Sequence, residues 1–163
     1  MNKKEIIHTL IGKIEEEKQR LEKTSKEALK AAIDAPGAMQ SHHDTYKFEY
    51  GQLVTALGTM SDKTEVLLGH LKEIDSCEDR VEGAISIGSL VKVQNLTQPD
   101  SNPYWNLILL GGGGLTFEYE GEKIIVVTPE SPIGKSLTNS AVTEIVEVNT
   151  PKGTQKFEIL EVK

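Results

Sequence analysis

Residues 3–34 read KKEIIHTLIGKIEEEKQRLEKTSKEALKAAID, and apolar side chains return in this stretch at every seventh position. The repeating row consists of Ile7, Ile14, Leu21 and Ala28, and a half-apolar second row consists of Leu10, Glu17, Thr24 and Ala31. A seven-residue apolar repeat over several turns is typical of a helix that packs along another helix in a coiled coil. The stretch therefore predicts a long amphipathic helix with a partner helix.

The chain after residue 43 contains a second repeat of the same period. Its main row is Tyr46, Leu53, Met60, Leu67 and Ile74, flanked by Tyr50, Leu57, Thr64 and Leu71. Pairing Leu21 with Met60 and Ile14 with Leu67 gives residue numbers with a constant sum of 81, as an antiparallel arrangement requires. We therefore predict an antiparallel hairpin of residues 3–34 and 43–78, about 45 Å long at about 1.5 Å per residue.

The turn of this hairpin is predicted near residues 40 and 41. Pro36 stops the first helix, and Ser41 followed by Asp44 resembles the capping box that begins a helix. His42 and His43 lie in the same turn, but adjacent side chains at a helix start point apart. We therefore predict no stably bound metal there.

The composition changes near residue 80, where the second half becomes rich in Val, Ile, Thr and Gly. Short apolar runs between turn residues predict strands at 89–96, 105–110, 115–119, 123–127, 144–149 and 156–162, and Pro132 opens a short helix at 131–138. We predict an α+β chain with an antiparallel helical hairpin at 1–80 and a small antiparallel β domain at 81–163. Alternatively, the helical stripes could form a compact bundle.

The charge and cysteine content exclude several classes of protein. The chain has 163 residues, a net charge of −7 and one cysteine, Cys77, which rules out an intrachain disulfide framework. Residues 1–80 and 81–163 are both acidic, so independent DNA binding is not expected. The longest aliphatic run, Leu107 to Leu110, is far below the ~20 residues of a membrane span. With no signal peptide in sight, we expect a soluble cytoplasmic protein.

Two glycine-containing segments do not fit nucleotide-binding motifs. Gly134-Lys135-Ser136 matches the end of a P-loop, but Pro129 stands where the first glycine is needed. The tract Gly111 to Gly114 lacks the G-x-G-x-x-G spacing and precedes a strand pattern. We therefore expect no cofactor of the protein's own.

The C-terminal half carries the most specific motifs. Residues 126–137 read VVTPESPIGKSL and residues 143–162 read TEIVEVNTPKGTQKFEILEV. These segments resemble the GreA/GreB transcript-cleavage factors, which have an SPxSP(I/L)(G/A)(R/K)(A/S)L segment, a GDxVxV strand, a TPxG turn and an EILxV ending. Residues 85–93, ISIGSLVKV, are similar to the FGSxV opening of that family.

The resemblance implies an N-terminal antiparallel coiled coil and a C-terminal FKBP-like domain, although the fold does not carry rotamase activity with it. It implies RNA polymerase as the partner, with the coiled coil entering the secondary channel and the C-terminal domain docking at its rim. RNA is then contacted only within the polymerase complex, and no membrane is involved. The implied docking residues are Ser131, Pro132, Ile133, Gly134 and Lys135.

The resemblance also implies a chemical role for the hairpin tip. In the family, two tip carboxylates help to hold the second Mg²⁺ and a water, and the polymerase's own centre cleaves the RNA, so the factor is not itself an enzyme. The family tip reads DLSENAEY, and residues 34–46 here read DAPGAMQSHHDTY. Aligning Ser41 with the family serine puts His42 in the place of the metal-assisting Glu. The candidate catalytic acids are therefore Asp44 and Asp34, although Asp44 could equally cap the helix.

Three functions stay open at this point. The first is an elongation factor that rescues backtracked complexes, with Asp44 assisted by Asp34 or a neighbouring histidine. The second is a non-catalytic regulator that occupies the secondary channel and modulates or competes with cleavage factors. The third is a homo-oligomeric coiled-coil adaptor that has no link to the polymerase.

Overall fold

The computed structural model describes residues 2–34, 44–76, 85–98, 100–138, 140–151 and 153–163. Residue contacts divide the chain into two units. One unit is Thr9–Gly69, and the other contains the residues up to His8 and those from His70 onward. The predicted boundary after residue 80 lies outside the described residues. Within the described ranges, no helix is both long and apolar enough to cross a membrane.

The unit Thr9–Gly69 is built from two helices, α1 (Lys3–Asp34) and α2 (Asp44–Ser76), which extend beyond it. Leu21 and Ala28 of α1 share a buried cluster with Leu57 of α2. Nearer the start of α1, the Lys18 ammonium lies 3.2 Å from a carboxylate oxygen of Glu65. Earlier residues of α1 thus meet later residues of α2, which confirms the predicted antiparallel hairpin.

The contact row of α1 follows the predicted heptad only in part. The main row is confirmed, because Ile7, Ile14, Leu21 and Ala28 are all buried. The second row is confirmed only at its two ends, because Leu10 is buried and Ala31 is half-buried whereas Glu17 and Thr24 are exposed. Lys18 and Ser25 are half-buried instead, one position further along. A row chosen by hydrophobicity omits Lys18, but the aliphatic stem of a lysine can line a helix interface while its charge reaches solvent.

On α2 the predicted flanking row is buried or half-buried throughout, whereas the described part of the predicted main row is buried at Leu67, half-buried at Ile74 and exposed before them. Leu53 and Met60 are 42% and 52% exposed, so the predicted pairing of Leu21 with Met60 is wrong. The interface is instead the row of Tyr50, Val54, Leu57, Ser61, Thr64, Leu68 and Leu71, all buried or half-buried. Ser61 and Thr64 therefore occupy interface positions while two larger apolar side chains face solvent. Hydrophobicity alone therefore predicts the wrong interface residues in the middle of α2.

The other unit contains six strands, which lie close to the predicted positions. They are β1 (Leu90–Asn95), β2 (Tyr104–Ile108), β3 (Thr116–Tyr119), β4 (Glu122–Val127), β5 (Ile145–Thr150) and β6 (Gly153–Val162). They form one sheet in the order β3-β4-β2-β1-β6-β5. The α+β fold is confirmed.

One strand pair departs from the predicted antiparallel arrangement. Strands β2 and β4 are parallel, with Trp105 opposite Ile124, whereas the other four pairs are antiparallel. Parallel neighbours require a crossover connection, and the chain supplies it by running through β3 between them. The sheet is therefore mixed.

The two faces of the sheet have different surroundings. The core face contributes strand residues to a buried cluster that also includes Leu137 of the short helix α3 (Pro132–Leu137). On the second face Leu90, Leu107 and Ile124 are fully buried, and this unit also buries Ile6, Ile7 and Leu71 of the helix ends. The second face is open toward β5 and β6, where Ile145 is 58% exposed.

Candidate functional site

The two candidate acids lie at one end of the helical unit. Asp34 is the last residue of α1 and is exposed, and Asp44 is the first residue of α2. The antiparallel arrangement brings these two helix ends to the same end of the hairpin. Residues 35–43, with His42 and His43, lie outside the described residues. The role of both aspartates stays a prediction.

The described ranges contain no group of three or more His, Cys, Asp or Glu side chains placed to hold a metal ion. Asp34 on its own can offer carboxylate oxygens, which are ligands that Mg²⁺ prefers. A lone exposed carboxylate binds such a cation weakly. Asp34, the one tip side chain that the structure describes, can therefore contribute to a metal site only where other groups supply the remaining ligands.

The half of α2 that begins at the tip has an uncharged face. No charged residue lies between Glu49 and Asp62, and Phe48 and Met60 are 67% and 52% exposed. Phe48 lines a shallow groove together with Gly51, Gln52, Thr55 and Ala56. The Thr55 hydroxyl donates to the Gly51 carbonyl at 3.0 Å, so it is satisfied within the helix. This face can be covered by a partner without desolvating a charge.

In the β domain, the predicted docking segment forms the start of α3. Ser131 is the N-cap, and its hydroxyl accepts a 3.1 Å bond from the Gly134 amide and donates a 2.6 Å bond to the Thr128 carbonyl. Pro132 follows in the first turn, where its missing N–H costs nothing. These bonds fix the chain direction between β4 and α3.

Gly134 is required by the same turn for a steric reason. It is buried, and a Cβ built on it would overlap the carbonyl group of Thr128. The helix then ends at Thr138, whose hydroxyl and amide both donate to the Gly134 carbonyl, at 2.8 and 2.9 Å. Gly134 thus builds the segment and has no side chain to offer to a partner.

The remaining residues of the segment differ in accessibility. Pro132 and Lys135 are exposed, whereas Ile133 is half-buried against the core cluster. No carboxylate in the described part of the chain forms an ion pair with Lys135. A partner could therefore reach Pro132, Lys135 and part of Ile133. The polymerase contact of this segment stays a prediction.

A contact that sequence reasoning missed joins the first turn of α1 to β3. The Tyr119 hydroxyl donates a 2.6 Å bond to Glu5 Oε2, which raises the pKa of Tyr119 to about 12, with burial and the negative charge of Glu5 adding to the effect. His8 Nε2 lies 2.9 Å from Asp75 Oδ2 in the same unit. Each pair is separated by more than 60 residues along the chain, so no local pattern signals it.

Buried polar atoms on β2 were also not foreseen. Trp105 Nε1 and both polar atoms of the Asn106 amide are buried and have no hydrogen-bond partner within the described structure. The ammonium groups of Lys92 and Lys163 lie 5.4 and 5.5 Å from the centre of the Trp105 ring, close enough for cation–π attraction. Neighbouring strands bring these side chains together, and sequence alone does not show which strands are neighbours.

Comparisons with known proteins give consistent results. Residues 115–163 match the family model described as "Transcription elongation factor, GreA/GreB, C-term". The chain is 30% identical over 168 residues to the transcription elongation factor GreA of Clostridioides difficile (strain 630), covering 98% of this chain and 97% of that one. It is also 30% identical over 169 residues to GreA of Alkaliphilus oremlandii (strain OhILAs), covering 99% and 98%.

Among solved structures, the chain is similar to GreA factor homolog 1 of Thermus thermophilus, with 16% identity, 94% coverage of both chains and a TM-score of 0.36. A TM-score of 0.36 is too low to support a conclusion about this chain.

Proposed function

The chain belongs to the GreA/GreB family of transcription elongation factors, and we propose that it binds RNA polymerase at the secondary channel and acts on backtracked complexes. The observation that carries this proposal is similarity over the full length, since the GreA relatives are covered to 97% and 98%. Both the helical hairpin and the β domain are therefore included in the likeness. A coiled-coil adaptor without a polymerase partner would not need to resemble GreA over both of these parts.

The β domain supplies the docking surface in this proposal. Ser131 and Gly134 hold the turn before α3, and Pro132 and Lys135 lie exposed on it. A contact segment with a fixed backbone loses little conformational entropy on binding. The Lys135 ammonium gives this surface a positive charge for an acidic patch on the polymerase.

The helical hairpin enters the channel in this proposal. The uncharged face of α2 between Glu49 and Asp62 supports this role. Burying a charge in a confined space carries a large desolvation cost, whereas burying apolar or satisfied groups does not. This face can therefore line a channel wall while Asp34 and Asp44 are carried inward at the tip.

The proposed chemistry belongs to the polymerase. Carboxylate oxygens of Asp44 and Asp34 would complete the coordination of a Mg²⁺ ion that the polymerase already holds, and the metal would activate the attacking water. The polymerase centre then breaks the phosphodiester bond of the backtracked RNA. The chain is thus a stimulating factor, not an enzyme, and it needs no cofactor of its own.

A second function is a channel-occupying regulator without cleavage activity. The tip sequence favours it, because His42 follows Ser41 where the family has its metal-assisting Glu. In that case the hairpin would exclude true cleavage factors from the channel. The two functions differ in outcome on stalled complexes in Mg²⁺: the first shortens the RNA, and the second slows the shortening that an added cleavage factor produces.

A further inference from the structure

The open end of the second sheet face carries two exposed aliphatic side chains beside a carboxylate. Ile145 on β5 is 58% exposed and Leu160 on β6 is 40% exposed. Ile145 lies directly opposite the half-buried Glu158 of β6, and Gln94 of β1 lies opposite Glu158 on its other side. Directly opposed residues share a face of the sheet, so Glu158 and Ile145 are neighbours on the open face.

A β-bulge places Leu160 in the same group. Val93 pairs with Ile159 and Lys92 pairs with Glu161, so Leu160 is an extra residue without a partner on β1. Strand alternation puts Leu160 on the face of Glu158, two positions away. The bulge therefore leaves an unpaired aliphatic residue beside the carboxylate.

The charges in this region single out Glu158. Glu147 pairs with Lys156 at 3.0 Å, and Glu161 pairs with Lys163 at 2.9 Å. Glu158 has no basic partner within the ranges that the structure describes. Glu158 is half-buried, and Lys156, the basic residue two positions before it on β6, is engaged by Glu147. Such a carboxylate gains more from an incoming cation than one already paired.

We propose that Ile145, Glu158 and Leu160 form a site for one basic side chain on the surface of RNA polymerase, an inference that rests on the proposed function. The ammonium or guanidinium group pairs with the Glu158 carboxylate. Its methylene stem packs on Ile145 and Leu160, because Lys and Arg combine a charged head with an apolar stem. The site complements Lys135, which offers the opposite charge elsewhere on the same domain.

The test is the affinity of the full-length chain for core RNA polymerase, measured by fluorescence anisotropy. Glu158→Gln removes the charge and keeps the shape, and Glu147→Gln is the matched control because it changes the net charge equally. We expect Glu158→Gln to raise Kd about tenfold, as for loss of one charge-assisted bond. Glu147→Gln should change Kd by less than about twofold, since exposed ion pairs contribute little.

A second variant tests the apolar part of the site. Ile145→Ala should raise Kd about threefold through loss of packing, and its exposed position keeps the fold intact. Equal Kd values for wild type and Glu158→Gln, or equal weakening by Glu158→Gln and Glu147→Gln, would overturn the site and leave the proposed function standing. No binding by wild type would overturn both.

Discussion

The hydroxyl of Tyr119 and the carboxylate of Glu5 form a 2.6 Å hydrogen bond that joins β3 to the first turn of α1. The bond holds the pKa of Tyr119 at about 12, above its ordinary value of 10.0. A pKa that is higher in the folded than in the unfolded protein means that the bond contributes its full stability below pH 10. That contribution is lost as the pH rises through 12.

The first prediction concerns alkaline pH. We expect Tyr119→Phe to lower the melting temperature by a constant amount between pH 7 and pH 9, because the bond is intact there. Between about pH 10 and pH 12 the difference from wild type should shrink to zero. Thermal melts of both proteins across this range are the measurement. A difference that stays constant up to pH 12 would contradict the assigned bond.

The second prediction compares two neighbouring residues of α2. Leu57 is buried in the interface with Leu21, whereas Met60 is 52% exposed. Leu57→Ala should lower the free energy of unfolding by about 2 kcal/mol or more, as for loss of a buried aliphatic side chain. Met60→Ala should change it by less than about 0.5 kcal/mol. Urea denaturation measures both changes. A larger loss of unfolding free energy for Met60→Ala than for Leu57→Ala would show that Met60, as hydrophobicity alone predicts, lies in the interface.

This pair of residues also shows how far the sequence determines the hairpin. The main row of α1 can be predicted from the sequence because Ile7, Ile14 and Leu21 are both strongly apolar and seven residues apart. On α2 the seven-residue spacing can be predicted, but the residues that face α1 cannot, since Ser61 and Thr64 lie in the interface while Met60 does not. A helix interface accepts small polar residues whose hydroxyls bond within the helix, as the Thr64 hydroxyl does to the Met60 carbonyl at 2.8 Å.

In the β domain, too, the sequence predicts where the elements lie but not which of them become neighbours. Strand positions follow from alternation and turn residues, and the short helix follows from Pro132 in its first turn. The parallel pairing of β2 with β4 and the bulge at Leu160 depend on which strands become neighbours. Those pairings are set by packing between segments far apart in the chain, and no local pattern encodes them.

The third prediction contrasts two glycines. A Cβ at Gly134 would overlap the Thr128 carbonyl group, whereas one at Gly12 in α1 would meet nothing within 4 Å. Gly134→Ala should therefore destabilise the protein by about 1–3 kcal/mol. Gly12→Ala should stabilise it by about 0.5–1 kcal/mol, because alanine favours the helix. Denaturation curves for both variants provide the check, and a neutral Gly134→Ala would contradict the close approach at the start of α3.

The fourth prediction concerns the docking segment. Lys135 is exposed and contributes no ion pair within the described structure, so Lys135→Gln should leave stability unchanged. It should raise the Kd for core RNA polymerase severalfold, with a smaller difference at high salt because the attraction is screened. Lys123→Gln, an equal charge change at an exposed position of β4, is the control. Equal effects of the two variants would argue against a specific contact at Lys135.

The last prediction addresses the chemistry of the tip. Asp44 begins α2, where a carboxylate can cap the helix or serve a metal, and Asp44→Asn separates these roles because asparagine also caps well. We expect wild type to stimulate RNA cleavage in stalled complexes with Mg²⁺. Asp44→Asn should reduce that stimulation about 100-fold, as for loss of a group acting directly in the chemical step, with little change in melting temperature or polymerase affinity.

Asp62→Asn, an equal charge change at an exposed position of α2, should retain full stimulation. Undiminished cleavage with Asp44→Asn would remove Asp44 from the mechanism. If wild type binds the polymerase without stimulating cleavage and slows an added cleavage factor, the chain acts as the non-catalytic regulator, because its hairpin then fills the channel without supplying the metal-binding acids.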